Sequence, residues 1–186
     1  MPYPAQVDHE RIVLKAREMI ELEGVAALSL GKLAAALGIK APSLYRYFAS
    51  KTDLLRAVNI VLNEQLVAAL QEAATQAGDD PTARMLAIAR AYRAFAHSFP
   101  ATYDLAFTNT IPEIQPDAEA LERLALPLQA IIAEVSGEAN SLAALRGAMA
   151  LIHGFVSLEQ NGQFRRGGDL DAAFMQAVAA YLAGWK

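Results

Sequence analysis

The sequence predicts an all-α protein. Three observations carry this reading. The apolar content is 54% of 186 residues and is dominated by Ala and Leu, which favour helix. Apolar residues recur three and four apart, with no alternating run of the kind a strand needs. Each periodic segment is bracketed by a capping side chain at its start and by Gly or Pro at its end. About nine helices are expected, three in an N-terminal head over residues 1–52 and the rest in a larger body over 53–186.

The first helix is capped by Asp8. Ile12, Ala16, Met19 and Ile20 share a face, and Gly24 stops it. Ser29 caps a short second helix with Leu30, Leu33, Ala34 and Leu37 inward, ended by Gly38. Pro42 sits where a third helix begins, its missing N–H costing nothing there; this helix runs to about Phe48. Ser50 to Asp53 form a capping box for a long fourth helix reaching about Ala77. Gly78 to Pro81 break the chain. Met85, Ile88, Tyr92, Phe95 and Phe99 then mark an amphipathic helix ended by Pro100. Tyr103 to Phe107 make a short aromatic piece, and Ile111 to Pro116 a loop. Further helices are expected from about Asp117 to Val135 and from Ser141 to Gln160, the latter with Leu142, Leu145, Met149 and Ile152 on one side. Asp169 caps the last, with Leu170, Phe174, Val178, Tyr181 and Trp185 on one face.

The chain carries a net charge of −4, spread unevenly. Residues 1–60 hold eight Lys and Arg against six acids, net +2; the remainder holds eight against fourteen, net −6. A basic head on an acidic body suggests that only the head meets a polyanion. With no Cys, disulfides, thiol catalysis and Cys-ligated metals are excluded, and a reducing cytoplasm suits the chain. The N-terminus lacks the apolar core of a signal peptide. Arg146 and His153 interrupt the best candidate for a membrane span, so none is expected.

Two short helices joined through Gly38 make a helix-turn-helix. Leu33, Leu37, Ile39, Leu44 and Phe48 face inward and fix the angle between them. Ser43, Tyr45, Arg46 and Tyr47 are left on the outer side of a helix too short to be stable alone. Such a helix fits the DNA major groove, with Tyr, Lys or Arg bonding phosphates. The plainer alternative is a helical hairpin with a solvated basic face. The stretch GIKAPSLYRYFASKTDLL resembles the DNA-binding head of tetracycline-repressor-type (TetR) regulators. Their signature is a hydrophobic residue, Tyr, two variable residues and Phe, then Lys just inside the next helix; Leu44, Tyr45, Phe48 and Lys51 match it. The preceding EGVAALSLGKLAAALGI is similar to the family's run into the motif. The resemblance implies phosphate contacts from Tyr45 and Lys51, phosphate or base contacts from Lys40 and Tyr47, and base reading by Pro42, Ser43 and Arg46. Ser29 and Lys32, opening the preceding helix, complete the candidate DNA-binding set. Two positions depart from the family. Gly31 stands where a polar or basic residue is common. Ala41 replaces the usual Ser or Thr cap, a bond worth roughly 1 kcal/mol.

Beyond residue 60 the resemblance is to one subgroup, named for a Trp-His-Gly motif, through IHGFVSLEQNGQFRRGGDLDAAF. Here His153-Gly154 is present and Ile152 replaces the Trp. The resemblance favours a homodimer built on the last two helices. Gly147, Ala150 and Gly154 would allow close approach, and Phe174, Val178 and Tyr181 would supply area; from periodicity alone the same stripe reads equally as intramolecular core. Tyr92, Phe95, Phe99, Tyr103, Phe107, Met149 and His153 form an aromatic and Met-rich interior. It is either a filled core or a cavity for a small apolar or aromatic effector. The expected function is a TetR-type transcriptional regulator, in sense a repressor. It would bind a palindromic double-stranded DNA operator as a homodimer and be released by that effector, with Tyr103 to Pro116 as the moving part. No metal or other cofactor is expected.

Two rival functional classes stand against this reading. An enzyme would need chemistry the sequence does not carry: no phosphate loop, zinc-binding HExxH, GxSxG or dinucleotide fingerprint occurs, and His9, His97 and His153 stand apart. A helical interaction module without DNA affinity would share the fold and lack salt-dependent duplex binding.

Overall fold

The computed structural model describes residues 8–108 and 111–185. Among them are nine α-helices and no strand: α1 (His9–Glu23), α2 (Leu30–Ala36), α3 (Ala41–Leu44), α4 (Lys51–Gln76), α5 (Pro81–Ser98), α6 (Pro100–Tyr103), α7 (Ala118–Ser136), α8 (Ser141–Gln160) and α9 (Leu170–Ala183). A π-type turn covers Asp104–Thr108, and 3₁₀ turns cover Pro112–Ile114 and Glu138–Asn140.

The expected caps form. Asp8 accepts from the Arg11 N–H at 2.8 Å, Ser29 from Lys32 N–H at 3.2 Å, and Asp169 from Ala172 N–H at 3.0 Å. At the head of α4, Ser50 Oγ accepts from Asp53 N–H at 3.1 Å and donates to the Asp53 carboxylate at 2.8 Å. Each bond from a backbone N–H satisfies a first-turn donor that the helix leaves unpaired. Gly24 and Gly38 end α1 and α2 at φ of +81° and +69°, a region costly for any residue with a Cβ.

The chain divides into two compact units. The first extends to Asn63 and takes in Phe99–Pro116; the second joins Glu64–Ser98 to Asp117–Lys186. The head is therefore larger than the expected 1–52. It includes the first half of α4 and a segment distant in sequence. Its core is built from Ile12, Val13, Ala16, Ile20, Leu33, Leu44, Phe48, Leu54 and Val58, with Leu105 and Ile114 from the distant segment packed among them.

In the second unit α5, α7, α8 and α9 pack on one another. Met85, Ile88, Ile131, Ile132, Leu145, Ile152, Val156, Phe174, Val178 and Leu182 are buried. Arg84 bridges α5 to α7 through Glu134 at 2.7 Å. The expected face of α8 is corrected. Leu145 and Ile152 are buried, but Leu142 and Met149 are 45% and 50% exposed. The inward stripe runs through Ala144, Leu145, Ala148, Ile152 and Val156 instead, so α8 is apolar on two sides. By length and composition Glu138–Gln160 would suffice to cross a membrane, and a third of its most apolar window is buried here. It packs against three other helices of its unit.

Candidate nucleic-acid interface and effector region

The helix-turn-helix is positioned from beneath. Leu33 and Leu44 are fully buried and Phe48 nearly so, and the His9 ring of α1 lies 4.8 Å from that of Phe48. Regular helix in α3 is shorter than the sequence suggested. It stops at Leu44, and the Tyr47 and Phe48 N–H groups return to the Leu44 carbonyl at 3.0 and 3.1 Å to form one further turn. No side chain caps its start, in line with Ala41 standing in the place of a Ser or Thr. A four-residue helix persists because Leu44 and Phe48 are locked, not through its own propensity.

Above this floor lies the candidate DNA face. Lys40, Pro42, Arg46, Tyr45 and Tyr47 are exposed, the two tyrosines at 56% and 41%. Ser43 is half-buried between them. Ser29 is committed to capping α2, and Lys32 is 3.7 Å from Glu23, a partner that tempers its charge. Lys51 has a second duty. Its Nζ donates to the Val25 carbonyl at 2.8 Å, bracing the turn between α1 and α2. That uses one of three ammonium protons and leaves two for a phosphate.

Beneath the head sits a set of residues that the sequence reading missed. The Glu21 carboxylate, on α1, accepts from the Ala101 and Thr102 N–H groups at 3.1 and 2.7 Å and from the Thr102 hydroxyl. It thus caps α6 from another element. Arg17 lies with its guanidinium 3.9 Å above the Phe99 ring. Burial pushes the Arg17 pKa below its ordinary value, and the Glu21 charge opposes that shift. From α4, Arg56 donates to the Glu113 carbonyl and Asn59 to the Ile114 carbonyl at 3.0 Å. Asn63 in turn donates to both oxygens of Asn59, at 2.9 and 2.8 Å. Asn59 and Asn63 are buried. A buried amide must be bonded, so this pair fixes where Ile114 lies. Two asparagines four apart in an otherwise apolar stretch were the legible signal.

The expected effector residues are divided between the two units. Phe99, Tyr103 and Phe107 belong to the first unit, where the Tyr103 and Phe107 rings stand 5.0 Å apart and Tyr103 is fully buried. Tyr92 and Phe95 are buried on α5 of the second. Met149 is exposed, so it does not line the interior of its own unit. His153 is half-buried on the same outer side of α8, and burial lowers its pKa.

Several expected dimer residues are likewise claimed within the chain. Phe174 and Val178 are 1% and 2% exposed. The Tyr181 hydroxyl donates to the Ala144 carbonyl at 2.7 Å, and a Cβ on Gly147 would fall 2.2 Å from that hydroxyl oxygen. Gly147 therefore leaves room for Tyr181 within its own chain. Ala150 stays exposed, and nothing lies within 4 Å of a Cβ placed on Gly154.

The second unit also holds an ion network. Arg93 grips Glu159 through two bonds of 2.7 and 2.6 Å and reaches Asp171, while His97 Nε2 lies 3.0 Å from Glu159. The Arg93 bonds hold the Glu159 carboxyl down to about 2, against a smaller opposing effect of burial. Among the described residues no cluster suited to a metal ion occurs.

Comparison with known proteins places both halves. Residues 12–58 match the family model described as bacterial regulatory proteins, tetR family, and residues 85–181 match that for a tetracyclin repressor-like C-terminal domain. A helix-turn-helix-type transcriptional regulator of Mycobacterium tuberculosis, itself uncharacterized, is 36% identical over 185 residues, covering 97% of this chain and 83% of that one. Among solved structures, a protein of unknown function from Rhodococcus sp. RHA1 superposes with a TM-score of 0.83 at 24% identity, over 100% of this chain and 98% of the other. A TetR variant of Acinetobacter baumannii, solved with minocycline, gives 0.67 at 22% identity over 96% of each chain.

Proposed function

Because the chain belongs to the tetR family of bacterial regulatory proteins, a family of helix-turn-helix transcriptional regulators, we propose that it is a repressor. It binds a palindromic operator as a homodimer and lets go when a small apolar or aromatic molecule occupies its second unit. The observation that carries this reading is the contrast across α3. Leu44 and Phe48 are buried, while Pro42, Tyr45, Arg46 and Tyr47 are exposed on the turn that those two side chains anchor. In this reading Arg46 reads base edges, and Lys40, Tyr45 and Tyr47 hold phosphates.

One short helix reads few base pairs, so two heads must act together. They would enter successive major grooves about 34–36 Å apart. The outer face of α8, with Leu142, Met149, Ala150 and Gly154, and the exposed alanines of α9, Ala173 and Ala180, supply the dimer surface. A helix apolar on both sides is explained if its own core covers one side and a second chain the other.

Release works through the 99–116 segment. It is continuous in sequence with α5 and α7, and it is bonded to α1 by Glu21 and to α4 by Arg56 and Asn59. An effector that prefers a displaced arrangement of this segment would draw on those bonds and disturb the head. Without such a preference nothing shifts.

Selection of bound sites from random duplexes tests the proposal. A two-fold symmetric site is expected. Lys40→Ala should weaken all sequences alike and lower the salt slope by about 1; Arg46→Ala should change which sequences are selected. Recovery of no preferred sequence from the wild-type chain would overturn the reading.

A further inference from the structure

The outer surface of the second unit carries two adjoining grooves that share Arg90 and Ala94 of α5. The first, of about 620 Å³, is a trough between the end of α4 and α5. Its floor is Ala73, Ala77, Ala83, Leu86, Ala87 and Ala91. The second, of about 630 Å³, lies between α5 and α9 and holds Arg93, His97, Asp169, Asp171 and Met175. Arg90 stands exposed where they meet.

The charges at that junction are not equivalent. Arg93 is committed to Glu159 and Asp171. Asp169 is spent on capping α9 at Ala172, and Asp171 receives Arg93. Both carboxylates in the cleft thus have partners. Arg90 does not face one: its Nε donates to the Met175 sulfur at 3.4 Å, a weak acceptor, and it makes no ion pair among the described residues. A guanidinium so placed has both terminal amino groups open to a planar anion. The stretch of α5 from Ala83 to Arg90 spans about 10 Å at 1.5 Å per residue, and it lines the groove with Ala83, Leu86 and Ala87, facing Gln76 as the one uncharged polar side chain there.

We propose that this double groove binds an anionic amphiphile, a straight-chain carboxylate, with its head on Arg90 and its tail along the alanine trough. Charge complementarity fixes the polarity of binding. The tail runs toward Ala83 and Ala77, because the opposite direction carries it into the ion network of Arg93. The site lies on residues outside the expected aromatic interior, and it does not depend on the operator reading.

Isothermal titration of the full chain with decanoate, kept below its micelle concentration, provides the test, with decan-1-ol and acetate as tail-only and head-only probes. Saturable uptake of one decanoate per chain is expected, at least tenfold tighter than decan-1-ol. Arg90→Gln should erase that difference, and Ala87→Phe should weaken both long-chain probes. Both positions leave the buried core untouched, and circular dichroism confirms folding of each variant. Decanoate uptake unchanged in both variants, no saturable uptake, or equal binding of alcohol and carboxylate would each overturn the proposal. Duplex binding measured on the same preparations separates this outcome from the regulatory reading, since either can fail while the other stands.

Discussion

At the scale of single residues, the close approach of Gly147 and Tyr181 makes the sharpest claim. No Cβ fits at position 147 unless the Tyr181 ring moves, because the hydroxyl oxygen would sit 2.2 Å away. Moving it also breaks the bond to the Ala144 carbonyl. Gly147→Ala should therefore destabilise the chain by about 1–3 kcal/mol, the usual cost of overpacking, although Ala is the better helix former. Adding Tyr181→Phe removes the nearest clashing atom and leaves only ring carbons at 2.9 and 3.0 Å, which a small ring shift relieves, so the double variant should be more stable than the sum of the two singles predicts. Denaturant melts of the four proteins in that cycle measure the coupling; strict additivity would refute the contact. The same scale shows why Lys51→Ala is a poor probe of phosphate binding. Its ammonium braces the Val25 carbonyl, so that substitution loosens the head as well as removing a charge. Lys40, exposed on the same face, isolates the electrostatic effect.

Between elements, side chains that reach backbone atoms of a distant segment matter most. Glu21→Gln retains one carboxamide oxygen as an acceptor but gives up the carboxylate that holds two N–H groups and a hydroxyl on α6. Effector-dependent release should be blunted in that variant, while operator affinity without effector changes less. Fluorescence anisotropy titrations with and without effector distinguish the two; unchanged release would remove Glu21 from the transmission path. The network joining α5, α8 and α9 predicts a pH response. The Glu159 carboxyl is held down to about 2, chiefly by the Arg93 bonds. A depressed carboxyl adds stability that is complete above its ordinary value of 4.5. That stability is lost progressively as pH falls toward 2. His153, lowered by burial, acts in the same direction from about pH 6.5 downward. Wild type should therefore lose denaturant resistance between pH 4.5 and 2 (roughly the window between those two carboxyl values) by more than Glu159→Gln does. Parallel losses would show that the ion network contributes nothing.

For the whole molecule, the decisive quantity is the oligomeric state. Leu142 and Met149 are exposed, with Arg146 between them, on a helix whose opposite side is buried, and large apolar side chains left exposed on one helix face fit an interaction site. Wild type should elute as a dimer in light-scattering chromatography at micromolar concentration. Met149→Glu should give a folded monomer with sharply weakened operator binding, because two heads no longer act as one ligand. A monomeric wild type with full operator affinity would defeat the two-headed mechanism.

Local chemistry made much of this molecule legible in advance. The helices follow from apolar spacing of three and four, and their ends from Asp8, Ser29, Gly38, Ser50 and Asp169, whose effects reach only one turn. The outward placement of Tyr45, Arg46 and Tyr47 follows equally from the burial of Leu44 and Phe48 four residues apart. What periodicity could not determine was which of two apolar faces on α8 turns inward, or that Phe174 and Val178 serve their own chain. Helix phase against a partner is settled by packing volume across elements, and Gly147 fits Tyr181 from another helix altogether. Nor could a linear reading join residues 99–116 to the head. That union depends on Glu21, Arg56 and Asn59 meeting backbone groups 55 to 81 residues away, and hydrogen bonds over such separations exist only once the chain has folded.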